Sequence, residues 1–202
     1  GVLFLLIPLL FLTDMIATPS ILLPLVLISL PCALWLAKRS DTKRALFWCA
    51  DTQRERAYFG VVVRRFAVLS VLFVLFVMFS IPQQLFSLPF NRPLLWLGIL
   101  VTYPLLSVYP QELIFRAYFF HRYRDLFPAA TSMIAASAVA FAWMHVVFAN
   151  ATALVLSLVA GYLFARTYTE SRSLRLVFFE HTLYGCLIFT VGAGDSFHFN
   201  PY

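Results

Sequence analysis

The chain has 202 residues, of which 62% are hydrophobic and 12% are charged, and its formal net charge at pH 7 is +6. Soluble domains are roughly half apolar and about a quarter charged, and a small soluble fold exposes too much surface to bury so apolar a chain. The composition therefore excludes an ordinary soluble domain and indicates a membrane protein. The apolar runs do not alternate with period two, so helices are predicted.

Charges, prolines and turns divide the sequence into apolar segments of the length that a spanning helix needs, about 20 residues. The segments lie at about 2–17, 20–37, 61–82, 94–120, 129–148, 151–168 and 175–192. The predicted fold is all-α, a polytopic transmembrane bundle of about seven to eight spans. With no repeat or long linker, residues 1–202 are predicted to form one membrane domain.

Basic residues gather in three places between the predicted spans. They are the stretch 38–65, the pair Arg122 and Arg124, and the pair Arg172 and Arg175. Short loops rich in Lys and Arg stay in the cytoplasm, so these clusters are predicted to face inward. Their charge suits anionic lipid headgroups, and no nucleic-acid partner is predicted.

A basic cytoplasmic loop is predicted at about 38–60. Its segment 41–60 mixes aromatic and charged residues, and it is either an interfacial helix or a solvated loop. Three cysteines, an odd number, do not suggest a disulfide framework.

Once the charges that flank the segments are set aside, few ionisable residues remain inside the predicted spans, where a charge is costly. They are Asp14, Glu112, Arg116, His145, Glu180 and His181. Asp14 lies beside a turn and is interpreted as a helix cap or an interfacial residue. Glu112 and Arg116 are four residues apart and share a helical face. Either they form an ion pair that only neutralises both charges, or Glu112 is a general base supported by Arg116 and by the neighbouring Gln111.

Two histidines lie in other predicted spans. His145 and His181, each taken alone, are more often packing residues than catalysts. A carboxylate and two imidazoles from three separate helices are nevertheless what water activation and oxyanion stabilisation require. We therefore predict that Glu112, His145 and His181 converge.

Three motifs carry these residues in order: Gln111-Glu112-Leu113-Ile114-Phe115-Arg116, Phe141 through His145, and His181-Thr182-Leu183-Tyr184-Gly185. In this pattern the chain resembles the CPBP family of intramembrane proteases, the CAAX proteases and bacteriocin-processing proteins also called Abi. That family has Glu-Glu-x-x-x-Arg, Phe-x-x-x-His and His-x-x-x-Asn on separate membrane helices. The resemblance covers about residues 105–192.

Two positions depart from the family pattern. Gln111 stands where the family has its first glutamate, which is usually given the water-activating role, and Gly185 stands where it has asparagine, an oxyanion-binding residue. A glutamine is no base at neutral pH, so Glu112 or, less well, Glu180 would have to act. Tyr184 or Asn150 are candidates to replace the missing asparagine.

The resemblance implies an intramembrane endopeptidase that acts on a membrane protein or peptide. Glu112 and His145 would activate a water, His181 would stabilise the oxyanion, and Gln111 and Arg116 would support them. A zinc ion held by the three catalytic side chains is the alternative chemistry, but no His-Glu-x-x-His pair is present, so no metal and no cofactor are predicted.

The resemblance further implies a bacterial inner-membrane location. Two other functions are compatible with the sequence. One is a non-catalytic membrane partner derived from a protease, and the weaker one is a small-solute transporter, for which the repeated halves are missing.

Overall fold

The computed structural model describes residues 22–38 and 51–194. Its helices are α1 (Leu22–Ala37), α2 (Thr52–Ser80), α3 (Ser87–Asn91), α4 (Pro93–Arg122), α5 (Ala130–Met144), α6 (Ala151–Ser171) and α7 (Leu174–Thr190). Short 3₁₀ turns lie at Pro82–Gln84 and His145–Phe148. No β-strand occurs in these described ranges, and the all-α prediction is confirmed.

Four helices within the described ranges are long and apolar enough to cross a membrane: α2, α4, α5 with its 3₁₀ extension, and α6. α1 is a shorter apolar helix, and α7 has 17 residues. The chain is thus an integral membrane protein. The first predicted segment, 2–17, and Asp14 within it lie outside the described residues. The count of seven to eight spans stays a prediction.

α2 begins before the predicted span because Asp51 caps it. The Asp51 carboxylate accepts hydrogen bonds from the backbone N–H groups of Gln53 and Arg54, both at 3.0 Å. Such a cap satisfies donors that have no partner inside the helix. The part of the predicted interfacial segment that is described therefore belongs to α2, and residues 41–50 lie outside the described ranges.

α4 contains two π-helical segments, Pro104–Val108 and Leu113–Tyr118, on either side of Glu112. Pro104 and Pro110 lack the N–H that an α-helix interior requires, so the regular hydrogen-bond ladder cannot run through this region. The backbone N–H of Tyr109 instead donates to the Pro104 carbonyl, five residues back. Such π-segments are frequent at functional sites.

α5 and α6 pack closely through small residues. A Cβ atom added at Gly161 of α6 would lie 3.1 Å from the Ala138 backbone of α5. Ser157, Gly161 and Ala165 follow one another at spacings of four and are all buried. Small residues at this spacing allow membrane helices to approach each other. The close approach also leaves the Gly161 carbonyl within reach of α4.

A buried polar cluster joins α2, α6 and α7. Arg65 donates hydrogen bonds to the Glu180 carboxylate and to the Thr167 hydroxyl, and the Thr167 hydroxyl donates to the second Glu180 oxygen at 2.6 Å. Glu180 and Thr167 are fully buried. The charge pattern places Arg65 in the cytoplasmic basic cluster, but the structure pairs it with Glu180. Pairing is the usual fate of ionisable side chains at membrane depth.

The turn after α2 contacts the end of α7 at Gly192. This glycine has a φ of 88°, and a Cβ atom there would lie 1.8 Å from the Gln84 carbonyl oxygen. Both the positive φ and the contact require glycine.

Candidate active site

Glu112 of α4 and His181 of α7 are in direct contact. The imidazole Nδ1 lies 2.7 Å from the Glu112 Oε1, a short hydrogen bond between a donor and a carboxylate. The Glu112 side chain is 0% exposed, and His181 is 6% exposed. The structure therefore brings together two of the three residues that the sequence predicts as catalytic.

Arg116 compensates the buried carboxylate from one turn along α4. Its Nε lies 3.2 Å from the Glu112 Oε2, and both side chains are fully buried. The guanidinium also donates to the Ser137 hydroxyl at 2.8 Å and to the Gly161 carbonyl at 3.4 Å. It lies 5.2 Å from the centroid of the Phe141 ring. Arg116 thus links α4 to both α5 and α6, and it fixes Glu112 from one side.

The two Glu112 oxygens have different surroundings. Oε1 accepts the bond from His181, whereas Oε2 faces Arg116 without a hydrogen bond among the described residues. A carboxylate oxygen can accept two hydrogen bonds. Oε2 therefore keeps lone pairs for a further donor.

Aromatic rings hold the His181 imidazole. It stacks on Phe164, with ring centroids 4.5 Å apart and planes at 24°, and Phe141 meets it edge-on at 5.7 Å. The Tyr103 hydroxyl lies 3.3 Å from Nε2. Both ring nitrogens of His181 therefore have polar neighbours, Glu112 on one side and Tyr103 on the other.

His145 lies where α5 ends, on the same phenyl ring. Its Nδ1 is 2.8 Å from the Phe141 carbonyl oxygen, and its ring centroid is 4.6 Å from that of Phe141. A carbonyl only accepts, so Nδ1 carries the hydrogen, and Nε2 of the neutral ring is an acceptor. His145 and His181 are also close enough to interact electrostatically. The two imidazoles thus share Phe141 as a neighbour, while the direct hydrogen bond joins His181 to Glu112.

Gln111 makes its hydrogen bond to a residue of its own helix. Its amide Nε2 donates to the Ser107 hydroxyl at 2.8 Å, and its Oε1 has no hydrogen bond among the described residues. Gln111 is buried beside Glu112 in sequence. Its supporting role stays a prediction.

The substitutes that the sequence offered have other contacts. Glu180 pairs with Arg65, so its carboxylate is engaged away from His181. Asn150 caps α6, where its Oδ1 accepts from two backbone N–H groups. The Tyr184 ring meets Phe66 edge-on at 5.2 Å. The Tyr184 ring also lies 6.1 Å from that of Phe164, which stacks on His181. The roles of Glu180, Asn150 and Tyr184 stay predictions.

Tyr103 is the site neighbour that sequence reasoning missed. A Cβ atom built at Gly185 would lie 2.3 Å from the Tyr103 ring, so this ring fills the space over the glycine where the family motif has asparagine. Tyr103 is one of nine tyrosines and is 78 positions from His181. In the sequence, the one indication of such a neighbour was the glycine at position 185, which leaves space for another side chain.

No group of three or more His, Cys, Asp or Glu side chains in the described part of the chain is arranged to hold a metal ion. Metal independence stays a prediction.

The helices of this membrane protein thus enclose a carboxylate, an arginine and an imidazole in direct contact, with a second imidazole nearby. Residues 89–187 match the family model described as Rce1-like, type II CAAX prenyl endopeptidase Rce1-like. This match confirms, for residues 89–187, the resemblance to the CPBP family. Members of the family are proteases. No curated protein and no solved structure matches the chain significantly.

Proposed function

We propose that the chain is an intramembrane endopeptidase that hydrolyses a peptide bond of a membrane-associated or lipid-proximal protein. The observation that carries this proposal is the 2.7 Å hydrogen bond between the buried Glu112 and His181, inside the segment that matches a protease family. A fully buried carboxylate that meets an imidazole from another helix is costly in an apolar bundle, and such groups mark functional sites.

The surroundings of each side chain suggest how they share the reaction. Glu112 Oε2 and the acceptor Nε2 of His145 orient a water, and Glu112 Oε2 takes its proton as the water oxygen attacks the carbonyl carbon. The π electrons move to the carbonyl oxygen, and an imidazolium at His181, paired with Glu112, donates from Nε2 to that oxyanion. The proton is then passed to the amine nitrogen as the C–N bond breaks. Arg116 holds Glu112 in position.

The family resemblance and the composition also suggest the location, the number of spans and the partners of the protein. We infer a bacterial inner-membrane protein of seven to eight spans that forms one domain, with the lipid bilayer and a membrane peptide as partners and no nucleic acid. The family description names CAAX prenyl endopeptidases. A prenylated peptide that ends in a CAAX sequence is therefore the first substrate class to test.

Purified protein in lipid bicelles tests the proposal. We expect it to cleave a farnesylated CAAX peptide, detected by mass spectrometry. Glu112→Gln, His145→Gln and His181→Gln should each lower the cleavage rate by at least about 10²-fold. Glu170→Gln is the matched control, because Glu170 is exposed at the end of α6 and its charge lies outside the site. Chelators should leave the rate unchanged, and a chelator-sensitive rate restored by zinc would contradict the metal-free reaction.

A non-catalytic membrane partner is the second candidate, and the observation in its favour is that position 111 holds an amide bonded to Ser107 rather than a carboxylate. This alternative predicts that the protein binds a membrane peptide and leaves it intact. Binding without cleavage over a range of prenylated and unprenylated peptides would support it. Solute flux through proteoliposomes would favour a transporter instead.

A further inference from the structure

Tyr103 contacts the side of the His181 ring that faces away from Glu112. Nδ1 of His181 is engaged by Glu112 at 2.7 Å, so Nε2 is the ring nitrogen that can contact anything else. The Tyr103 hydroxyl oxygen lies 3.3 Å from that Nε2. This distance is at the long end for an N–H···O hydrogen bond, so an incoming oxygen acceptor competes with it easily.

Two donors at this separation suit one oxygen atom. Donors 3.3 Å apart can each lie about 2.8 Å from a single acceptor placed between them. When an imidazolium donates from Nε2 to the phenol oxygen, the O–H hydrogen of Tyr103 remains free to point away from the ring. The pair then presents an N–H and an O–H side by side, which is the arrangement that stabilises an oxyanion.

The packing around Tyr103 holds this hydroxyl in place. Its ring fills the space over Gly185, where an added Cβ atom would lie 2.3 Å from a ring carbon and 2.4 Å from the hydroxyl oxygen. Phe189 meets the ring edge-on at 5.2 Å. Contacts on two sides limit the movement of the phenol, so its hydroxyl is preorganised next to His181.

We propose that Tyr103 is a catalytic residue whose hydroxyl, together with Nε2 of His181, binds the carbonyl oxygen of the scissile peptide bond and stabilises the oxyanion. This inference rests on the proposed protease function. The hydroxyl keeps its proton throughout. It donates a hydrogen bond as the carbonyl electrons move onto oxygen, and it releases the oxygen when those electrons return and the C–N bond breaks.

The test is Tyr103→Phe, which retains the ring over Gly185 and removes the hydroxyl alone. Loss of one oxyanion donor lowers kcat by about 10²–10³-fold. We expect a fall of that size in the cleavage of the farnesylated CAAX peptide, with little change in KM and with unchanged thermal stability. Tyr109→Phe is the matched control, because it removes a hydroxyl from the same helix, where Tyr109 contacts Phe178.

If Tyr103→Phe does not fold, Gly185→Ala tests the same contact between Tyr103 and His181. The new methyl group displaces the Tyr103 ring, so kcat should fall in this variant too. If Tyr103→Phe does fold, adding Gly185→Ala to it should cause little further loss of kcat, since the hydroxyl contribution is already gone.

The outcomes separate the inference from the function on which it rests. If the parent protein is active and Tyr103→Phe has the same kcat, the role of Tyr103 is overturned and the protease function still holds. A loss that appears only in KM also overturns it, because it would place the hydroxyl in ground-state binding. A parent protein without hydrolysis of any peptide overturns the proposed function, and the role of Tyr103 falls with it.

Discussion

The substitution Glu112→Gln separates catalysis from packing at the centre of the site. Glutamine keeps the size of the side chain and removes its charge, so Arg116 loses its counter-ion while both side chains remain fully buried. Breaking a buried ion pair by removing one partner costs about 3–5 kcal/mol. We expect the lower end of that range, because Arg116 keeps its bonds to Ser137 and Gly161 and its contact with Phe141.

A loss of about 3 kcal/mol is smaller than the ordinary unfolding free energy of about 5–15 kcal/mol, so the variant should remain folded with a lower melting temperature. Its cleavage rate should fall by about 10²–10⁴-fold, the usual contribution of a positioned acid–base group. Thermal unfolding and peptide cleavage are to be measured on the same preparations. Glu112→Gln combined with Arg116→Gln removes both charges, and it should recover part of the stability and none of the activity.

Two results would refute this reasoning. If folded Glu112→Gln cleaves as fast as the parent protein, Glu112 takes no part in the reaction. If the double variant recovers the rate together with the stability, the single substitution acted through folding alone.

Three further predictions concern other positions. Gln111→Glu places a second carboxylate in the motif and should raise the cleavage rate or broaden its pH range, so an unchanged pH–rate profile would contradict it. Glu180→Gln leaves Arg65 without its buried counter-ion, so it should lower the melting temperature. The folded protein should keep its kcat. A loss of kcat with unchanged stability would instead indicate that Glu180 is the base. Gly192→Ala should lower the melting temperature, because φ is 88° and the added Cβ would clash with the Gln84 carbonyl oxygen. Gly98→Ala is the control and should not lower it, since nothing lies within 4 Å of the added Cβ. Equal melting temperatures of the two variants would contradict the contact at Gly192.

The parts of the fold that follow from local rules were predictable. Long apolar segments bounded by charges gave the helices after residue 93 to within a few positions, because bilayer thickness sets their length. The spacing of four between Glu112 and Arg116 gave their ion pair, because it depends on one helix alone. The early start of α2 was missed, since the charges after Asp51 were interpreted as loop or interfacial helix and the cap was overlooked.

The contacts between helices could not be predicted from spacing. Tyr103 and His181 are 78 positions apart, and each of the two π-helical segments in α4 rotates the residues that follow it relative to those that precede it. The partner of Glu180 is 115 positions away in a stretch whose charges resemble a cytoplasmic flank. His145 was predicted as a site residue, but its bond to the Phe141 carbonyl depends on how α5 ends. These are properties of the packed bundle, which one sequence does not reveal.

The Arg65–Glu180 pair has a consequence for the synthesis of this protein. The two side chains are 115 positions apart, so Arg65 is made and inserted long before Glu180 leaves the ribosome. An arginine that lacks a partner is costly inside a membrane span, and the cost falls toward the end of the span. Until α7 enters the bilayer, α2 therefore carries a charge without its final partner. Chains that stop before α7 would expose this arginine to other membrane components, and they should be retained by insertion factors or removed by quality-control proteases.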